Sequence, residues 1–164
     1  MLGVNCIMNK ILCLLCVVLY IFMMSSCGSD NNVLDFKFDM SYEDIEKLCS
    51  NDEFFGEDKD NNMVGYKRQN VEFFENEDVI SLFYFDDNSL SRVIYDVSTC
   101  STENIDEMVE YFDDNYKQTT NENKTIGKYP LTHIEWEGND IIITYEKMTI
   151  GNKSQIKFYF NKKD

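Results

Sequence analysis

Several residue types are scarce in this sequence, and each scarcity excludes something. Alanine is absent, proline occurs once, and the 164 residues contain seven glycines, so no glycine- or proline-rich linker divides the chain. There is one histidine, and His-Glu-x-x-His, Gly-x-Ser-x-Gly and glycine-rich phosphate-loop patterns do not occur, while the one Cys-x-x-Cys, from Cys13 to Cys16, lies within the N-terminal apolar run. The sequence therefore carries no signature of a zinc site, a serine hydrolase or a phosphate-binding loop, and we expect no cofactor.

Basic residues are also scarce. Lysines and arginines number 15 against 30 acidic residues, which gives a net charge of −15. Such a charge repels phosphate and argues against nucleic acid as a partner. It favours a basic protein partner or cations, although a well-solvated acidic surface explains it without any partner.

The one long hydrophobic run lies at the N-terminus. Lys10 precedes an uninterrupted apolar stretch over residues 11–24, and two serines lead from it to Cys27. This order is typical of an export signal. The run is shorter than the roughly 20 residues of a transmembrane helix, so an uncleaved anchor is the less favoured alternative. Translation from Met8 instead of Met1 would give the signal a more ordinary start.

The segment Met24-Ser25-Ser26-Cys27 resembles the lipobox of bacterial lipoproteins. The resemblance implies that residues 1–26 are a removed signal peptide and that Cys27 carries diacylglycerol as the first mature residue. Two or more acyl chains hold a protein stably on a membrane. We therefore expect a protein of the cell envelope. It would be attached to the outer side of the cytoplasmic membrane, or to the outer membrane in a Gram-negative cell.

Residues 27–32 form the lipidated cysteine and a polar tether, and residues 33–164 are predicted to form a single α+β domain. Two cysteines remain in that domain, Cys49 and Cys100. In an exported chain they can form a disulfide, and two buried free thiols are the alternative. The sequence leaves both open because it does not fix the distance between the two residues.

Two helices are predicted from their caps and apolar spacing. Ser41 caps the first, and Ser101 or Thr102 caps the second. The apolar residues of the second helix recur at helical spacing: Ile105, Met108, Val109, Phe112 and Tyr116. Asp113 and Asp114 near its end oppose the helix dipole, which predicts fraying there.

Strand patterns occupy most of the remaining sequence. Residues 79–85 and 90–97 flank a turn and predict a hairpin. Residues 63–67 and 71–74 predict one bent strand or a short pair, while polar residues 117–128 predict a loop. The last third predicts a three-stranded meander, with strands at 131–137, 141–148 and 154–160. The expected fold is α+β, with two helices packed on an antiparallel meander sheet and a pseudo-repeat of one helix plus three strands.

This layout also carries a resemblance. The segment Phe38-x-Met40-Ser41-x-x-Asp44-Ile45, followed by aromatic strands in helix-plus-meander order, is similar to small lipoproteins of low-GC bacteria. It is similar as well to the β-lactamase-inhibitor-like fold and to small outer-membrane-assembly lipoproteins. The resemblance implies a binding module, and it transfers no binding residue to this chain.

Two features of the sequence resemble chemical sites. His133 lies in a predicted strand without a nucleophile signature, so we interpret it as a surface residue rather than a catalytic one. Asp58, Asp60 and Asn62 place oxygen atoms at alternate positions, like the start of a calcium loop. Later positions lack the glycine and glutamate that such a loop needs, so a solvated acidic loop is the better interpretation and no metal is expected.

Aromatic residues occur along the predicted strands at positions that alternate between the two faces of the sheet: Phe73, Phe74, Phe83, Tyr84, Phe85, Tyr95, Trp136, Tyr145, Phe158 and Tyr159. Those that point away from the helices would form an exposed aromatic surface unless loops cover them. The sequence thus predicts an exported, lipid-anchored binding or interaction module. One alternative is an inhibitor or immunity-type lipoprotein for a basic partner. The other is a hydrolase with two carboxylates in a deep cleft.

Overall fold

The computed structural model describes residues 34–163. In this part of the chain two helices each precede four strands: α1 (Tyr42–Leu48), β1 (Glu53–Asp58), β2 (Met63–Arg68), β3 (Val79–Asp86), β4 (Ser89–Asp96), α2 (Thr102–Asn115), β5 (Lys117–Ile126), β6 (Tyr129–Glu137), β7 (Ile141–Ile150) and β8 (Lys153–Lys162). The predicted α+β class is confirmed. Each helix is followed by four strands, however, where the sequence predicted three.

All eight strands form one antiparallel sheet in the order β1-β2-β3-β4-β8-β7-β6-β5. Neighbours within each group of four are consecutive in sequence, and the two groups meet where β4 pairs with β8. The two helix-plus-four-strand units therefore lie side by side. Their first strands, β1 and β5, form the two edges of the sheet.

Both edge strands were missed by the sequence prediction, which placed a loop at residues 117–128. Nearly all of β5 is polar and exposed, so no apolar alternation marks it. It is a strand because its backbone pairs with β6 from Lys117 opposite Glu137 to Ile126 opposite Tyr129. The strand pattern at 71–74 was also misleading, since Phe73 has a φ of 68° and lies in a turn.

The helix starts follow the predicted caps. In α1 the Asp44 N–H donates to Ser41 Oγ at 3.2 Å, and the Ser41 N–H donates back to the Asp44 carboxylate at 3.1 Å, forming a capping box. In α2 the cap is Ser101, whose hydroxyl accepts the Asn104 N–H at 3.3 Å. Local sequence places the start of α1 and limits the start of α2 to Ser101 or Thr102.

Both helices pack on the same face of the sheet, as predicted. Phe112 of α2 contacts Trp136, Phe158 and Phe160, with ring centroids 5.5, 5.9 and 6.0 Å apart. Ile45 of α1 is fully buried in the same core. Burial of these apolar side chains is the main stabilising term of the fold.

Candidate functional site

The opposite face of the sheet carries neither helix. We call it the open face. It consists of six central residues and of the residues two positions before and after each of them in the same strand. The central residues form one cross-strand row: Gly65, Leu82, Ile94, Tyr159, Thr144 and Glu135. Because side chains alternate between the two faces along a strand, the residues directly before and after these six point into the core on the helix side. The two faces therefore carry different sets of residues.

Fewer aromatic rings reach the open face than the sequence suggested. Among the predicted strand aromatics, only Tyr84 and Tyr159 point to this face. Most of the others are buried in the helix-side core: Phe83, Phe85, Tyr95, Trp136, Tyr145 and Phe158. A third ring, Phe55, comes from the β1 bulge and lies beside Gly65, where a Cβ would be 3.3 Å from its Cδ1.

The centre of the open face is a small apolar strip of Phe55, Leu82, Ile94 and Tyr159. Ile94 is only 8% exposed, whereas Phe55 is 58% exposed. Burial, and to a smaller extent the nearby Glu146 carboxylate, raises the pKa of the Tyr159 hydroxyl to about 12. The strip is therefore closely packed around Ile94 and has one exposed aromatic ring, Phe55, at its edge.

Charge divides the molecule into two sides. Along one row of the open face acids and bases alternate, with Asp96 opposite Lys157, Lys157 opposite Glu146, and Glu146 opposite His133. The outer surface of α2, by contrast, carries six acidic residues and no basic one: Glu103, Asp106, Glu107, Glu110, Asp113 and Asp114. These six acids lie on the helix side, away from the apolar strip.

A groove of about 680 Å³ opens at one end of the open face, between Tyr84 and the last residues of β8. The Arg92 guanidinium lies 5.9 Å from the centroid of the Tyr84 ring, and its Nε donates to Asn161 Oδ1 at 2.8 Å. Lys162 and Lys163 line the same groove. Three cations thus surround one cavity in a chain dominated by acids.

A second cavity, of about 520 Å³, lies beside α1 and is lined by Tyr42, Phe85, Glu57, Asp58 and Asp87. Glu57 and Asp87 are exposed. Hydrogen bonds from Asn61 and Asp60 lower the pKa of Asp58, whereas a general acid needs a raised value. This cavity therefore gives the hydrolase alternative no support.

Relatives do not supply a function. Comparison with protein-family models, curated proteins and solved structures finds no match for the chain. A function has to be inferred from the open face and its groove.

The calcium-loop residues form a turn. Asp58 Oδ1 accepts the N–H groups of Asp60 and Asn61 at 3.1 and 3.3 Å, and its Oδ2 accepts the Asn61 side-chain amide at 2.7 Å. Within residues 34–163 no group of three or more histidine, cysteine, aspartate or glutamate side chains is arranged to hold a metal. Asp58 orders its own hairpin turn, and nothing in the geometry favours a cation at Asp58, Asp60 and Asn62.

Cys49 and Cys100 are both free thiols, so the structure contains no disulfide between them. Cys49 is buried at the end of α1, and Cys100 donates to the Asp78 carbonyl at 3.8 Å. Burial raises the pKa of each thiol to about 12. Both are therefore protonated at neutral pH and poor nucleophiles.

His133 contacts Glu146 at 3.3 Å on the open face.

A buried ion cluster around Arg68 was not predicted from the sequence. Arg68 is 5% exposed, its Nε donates to Asp52 at 2.9 Å, and its Nη2 donates to Asp35 at 2.5 Å. The Tyr95 hydroxyl also donates to Asp35, at 2.9 Å. The cluster fastens the segments before and after α1 to the sheet. Its one sequence signal is an arginine at a position where strand alternation predicts a buried side chain.

The export signal and Cys27 lie outside the described residues. Within residues 34–163 neither helix is long and apolar enough to cross a membrane.

Proposed function

We propose that the protein is an exported, lipid-anchored lipoprotein whose domain binds another protein through the open face. The observation that carries the binding proposal is the one-sided packing of the sheet, which leaves Leu82, Ile94 and Tyr159 on a face without a described helix. Apolar strips with a charged border are typical of protein-binding surfaces. Six strands spaced about 4.8 Å apart give a face about 25–30 Å wide, comparable to an interface that buries about 800 Å² per partner.

The lipobox-like segment supports the anchoring half of the proposal. Phe36 is 3% exposed and belongs to the core, so the tether from Cys27 ends there and spans at most about 30 Å. Lipid on Cys27 would hold the domain close to the membrane surface. The layout similar to the β-lactamase-inhibitor-like fold agrees with a binding role and remains part of the proposal.

A second candidate is an inhibitor or immunity-type lipoprotein that recognises a basic partner. The six acids of α2 favour it. Because they lie on the helix side, such a partner would approach α2 and leave the open face uncovered. Its binding would weaken steeply with salt.

A pull-down from envelope extract distinguishes the two candidates. The bait is the soluble mature domain, residues 29–164, at low and high salt. The variant Phe55→Ser/Leu82→Ser alters the apolar strip, and the matched variant Glu107→Gln/Glu110→Gln alters α2. We expect the strip variant to lose the captured proteins and the α2 variant to retain them. Loss with the α2 variant and with high salt would favour the basic partner, and capture unaffected by either variant would refute both candidates.

The anchor is tested separately by feeding cells a palmitate analogue. We expect label on the wild-type protein and none on Cys27→Ala. An equally labelled variant would remove the lipoprotein half of the proposal and leave the binding half untouched.

A further inference from the structure

We infer that the groove beside Tyr84 binds a carboxylate group of the partner protein. This inference rests on the proposed function and specifies the chemistry of the partner. The groove lies at the end of the apolar strip, so one partner segment could occupy both. The surface would then recognise an acidic partner, although the chain itself is strongly acidic.

Position 92 carries an arginine, a residue type that is uncommon in this chain. Lysine is the common base in this chain, and only two of its 15 basic residues are arginines, Arg68 and Arg92. Arg68 is buried between two aspartates. Arg92 is exposed on the open face. A planar guanidinium differs from an ammonium group in matching a carboxylate with two parallel hydrogen bonds.

The Arg92 guanidinium has a defined orientation in the groove. Tyr84 lies against the guanidinium, and Asn161 accepts a hydrogen bond from Nε. Both neighbours are neutral and fix the plane of the group, which leaves the two terminal nitrogens for a ligand. Within residues 34–163 no carboxylate lies within ion-pair distance of Arg92.

Basic residues outnumber acidic ones among the residues that line the groove. Asp86 is the one acid among the residues that line it, against Arg92, Lys162 and Lys163. Lys162 is paired with Asp39 at 2.8 Å and Lys163 with Glu137 at 2.5 Å. These pairs offset the two lysine charges, so Arg92 is the cation best placed to receive an external carboxylate.

The neighbouring strip defines what else the partner presents. Arg92 and Ile94 are two residues apart on β4, and both point to the open face. Such positions are separated by about 7 Å. A fitting segment therefore carries an apolar side chain and an aspartate or glutamate about 7 Å apart. Tyrosine and arginine are the residue types that most often dominate binding energy at protein interfaces.

Peptide selection tests the inference. Random phage-displayed peptides are selected on the domain of residues 29–164, which contains the whole described core (residues 36–160) and is expected to fold without the signal. Enriched peptides are then synthesised and titrated against the wild type, Arg92→Gln, Arg92→Lys, and Lys47→Gln, a control on α1 whose side chain is 76% exposed. We expect enriched peptides to carry an acidic residue. We also expect each Arg92 variant to bind them about tenfold more weakly, equivalent to about 1.4 kcal/mol, with Lys47→Gln unchanged.

The outcomes separate this inference from the function on which it rests. Peptides that lose binding to Phe55→Ser/Leu82→Ser but bind Arg92→Gln normally would overturn the carboxylate site and keep the open face as the binding surface. Peptides indifferent to both the strip variant and Arg92→Gln, or no enrichment, would overturn both. Sedimentation of the wild type supplies one more check. A dimer that dissociates in Arg92→Gln would overturn the inference by making a second copy the occupant.

Discussion

At the residue scale, Arg68 shows how one side chain joins segments that are distant in sequence. It pairs with Asp35 before α1 and with Asp52 after it, and through Asp35 it reaches Tyr95 on β4. A buried ion pair adds little net stability when all its hydrogen bonds are made, but removing one partner leaves a buried charge uncompensated. The stability of this region should therefore be sensitive to either aspartate.

We expect Asp52→Asn to lower the free energy of unfolding by about 2–4 kcal/mol, because it removes a carboxylate from buried Arg68. The matched control is Glu57→Gln, whose partner Lys59 is 81% exposed. That change should stay within about 0.5 kcal/mol. Urea unfolding of the three proteins measures both effects, and equal values for the two variants would contradict a structural role for the cluster.

At the element scale, the end of α2 shows how tertiary contacts modify a local preference. Asp113 and Asp114 both oppose the helix dipole, and the sequence predicted fraying. In the structure Asp113 accepts the Trp136 indole N–H at 2.8 Å and the Gln118 side-chain amide at 2.8 Å. These bonds connect the last turn of α2 to β6 and β5, so the helix continues to Asn115.

The two acids should consequently respond in opposite directions. Asp113→Ala leaves the buried indole N–H of Trp136 without an acceptor and should lower the free energy of unfolding by about 1–3 kcal/mol. Asp114→Ala removes an exposed unfavourable charge and should raise it by about 0.3–1 kcal/mol. Trp136 is the one tryptophan of the chain, so its fluorescence reports both unfolding transitions. A stabilising Asp113→Ala would show that the bond to Trp136 does not matter.

At the scale of the whole molecule, burial holds several ionisable groups in their neutral form. Burial raises the pKa of Cys49 and Cys100 to about 12 from an ordinary 9.0. Burial also raises the pKa of Tyr66 and Tyr159 to about 12 from an ordinary 10.0. The unfolded chain therefore loses protons between about pH 9 and 12 that the native protein retains. This contribution to stability is fully present below pH 9 and is lost as the pH rises.

We accordingly expect the free energy of unfolding to fall between about pH 9 and 11, as measured by urea unfolding at constant ionic strength. Tyr159→Phe removes one of the responsible groups and should make the fall shallower. A free energy of unfolding that stays constant over this range would contradict the burial of these groups in neutral form.

Local patterns were sufficient for several elements. The Ser41 cap, an α2 cap at Ser101 or Thr102, the β3–β4 hairpin and the final meander were predicted, because each depends on residues only a few positions apart. The edge strands β1 and β5 could not be predicted in this way, because β5 is polar on both faces and a bulge between Phe54 and Gly56 breaks the alternation of β1. Alternation also did not predict the groove at Arg92. In the sequence Arg92 is one charged strand residue among many, and only the structure places Tyr84 and Asn161 beside it.

The amino-acid sequence was enough to predict the α+β class and helix starts, and it is the whole basis for the proposed export signal and lipid at Cys27. Three-dimensional pairing was needed for everything that makes a candidate site. It places β4 against β8, leaves one face of the sheet without either described helix, separates that face from the acidic α2, and sends Arg68 inward and Arg92 outward. The reason is physical: caps and alternation arise from neighbouring residues, whereas a sheet face is assembled by hydrogen bonds between strands far apart in the chain.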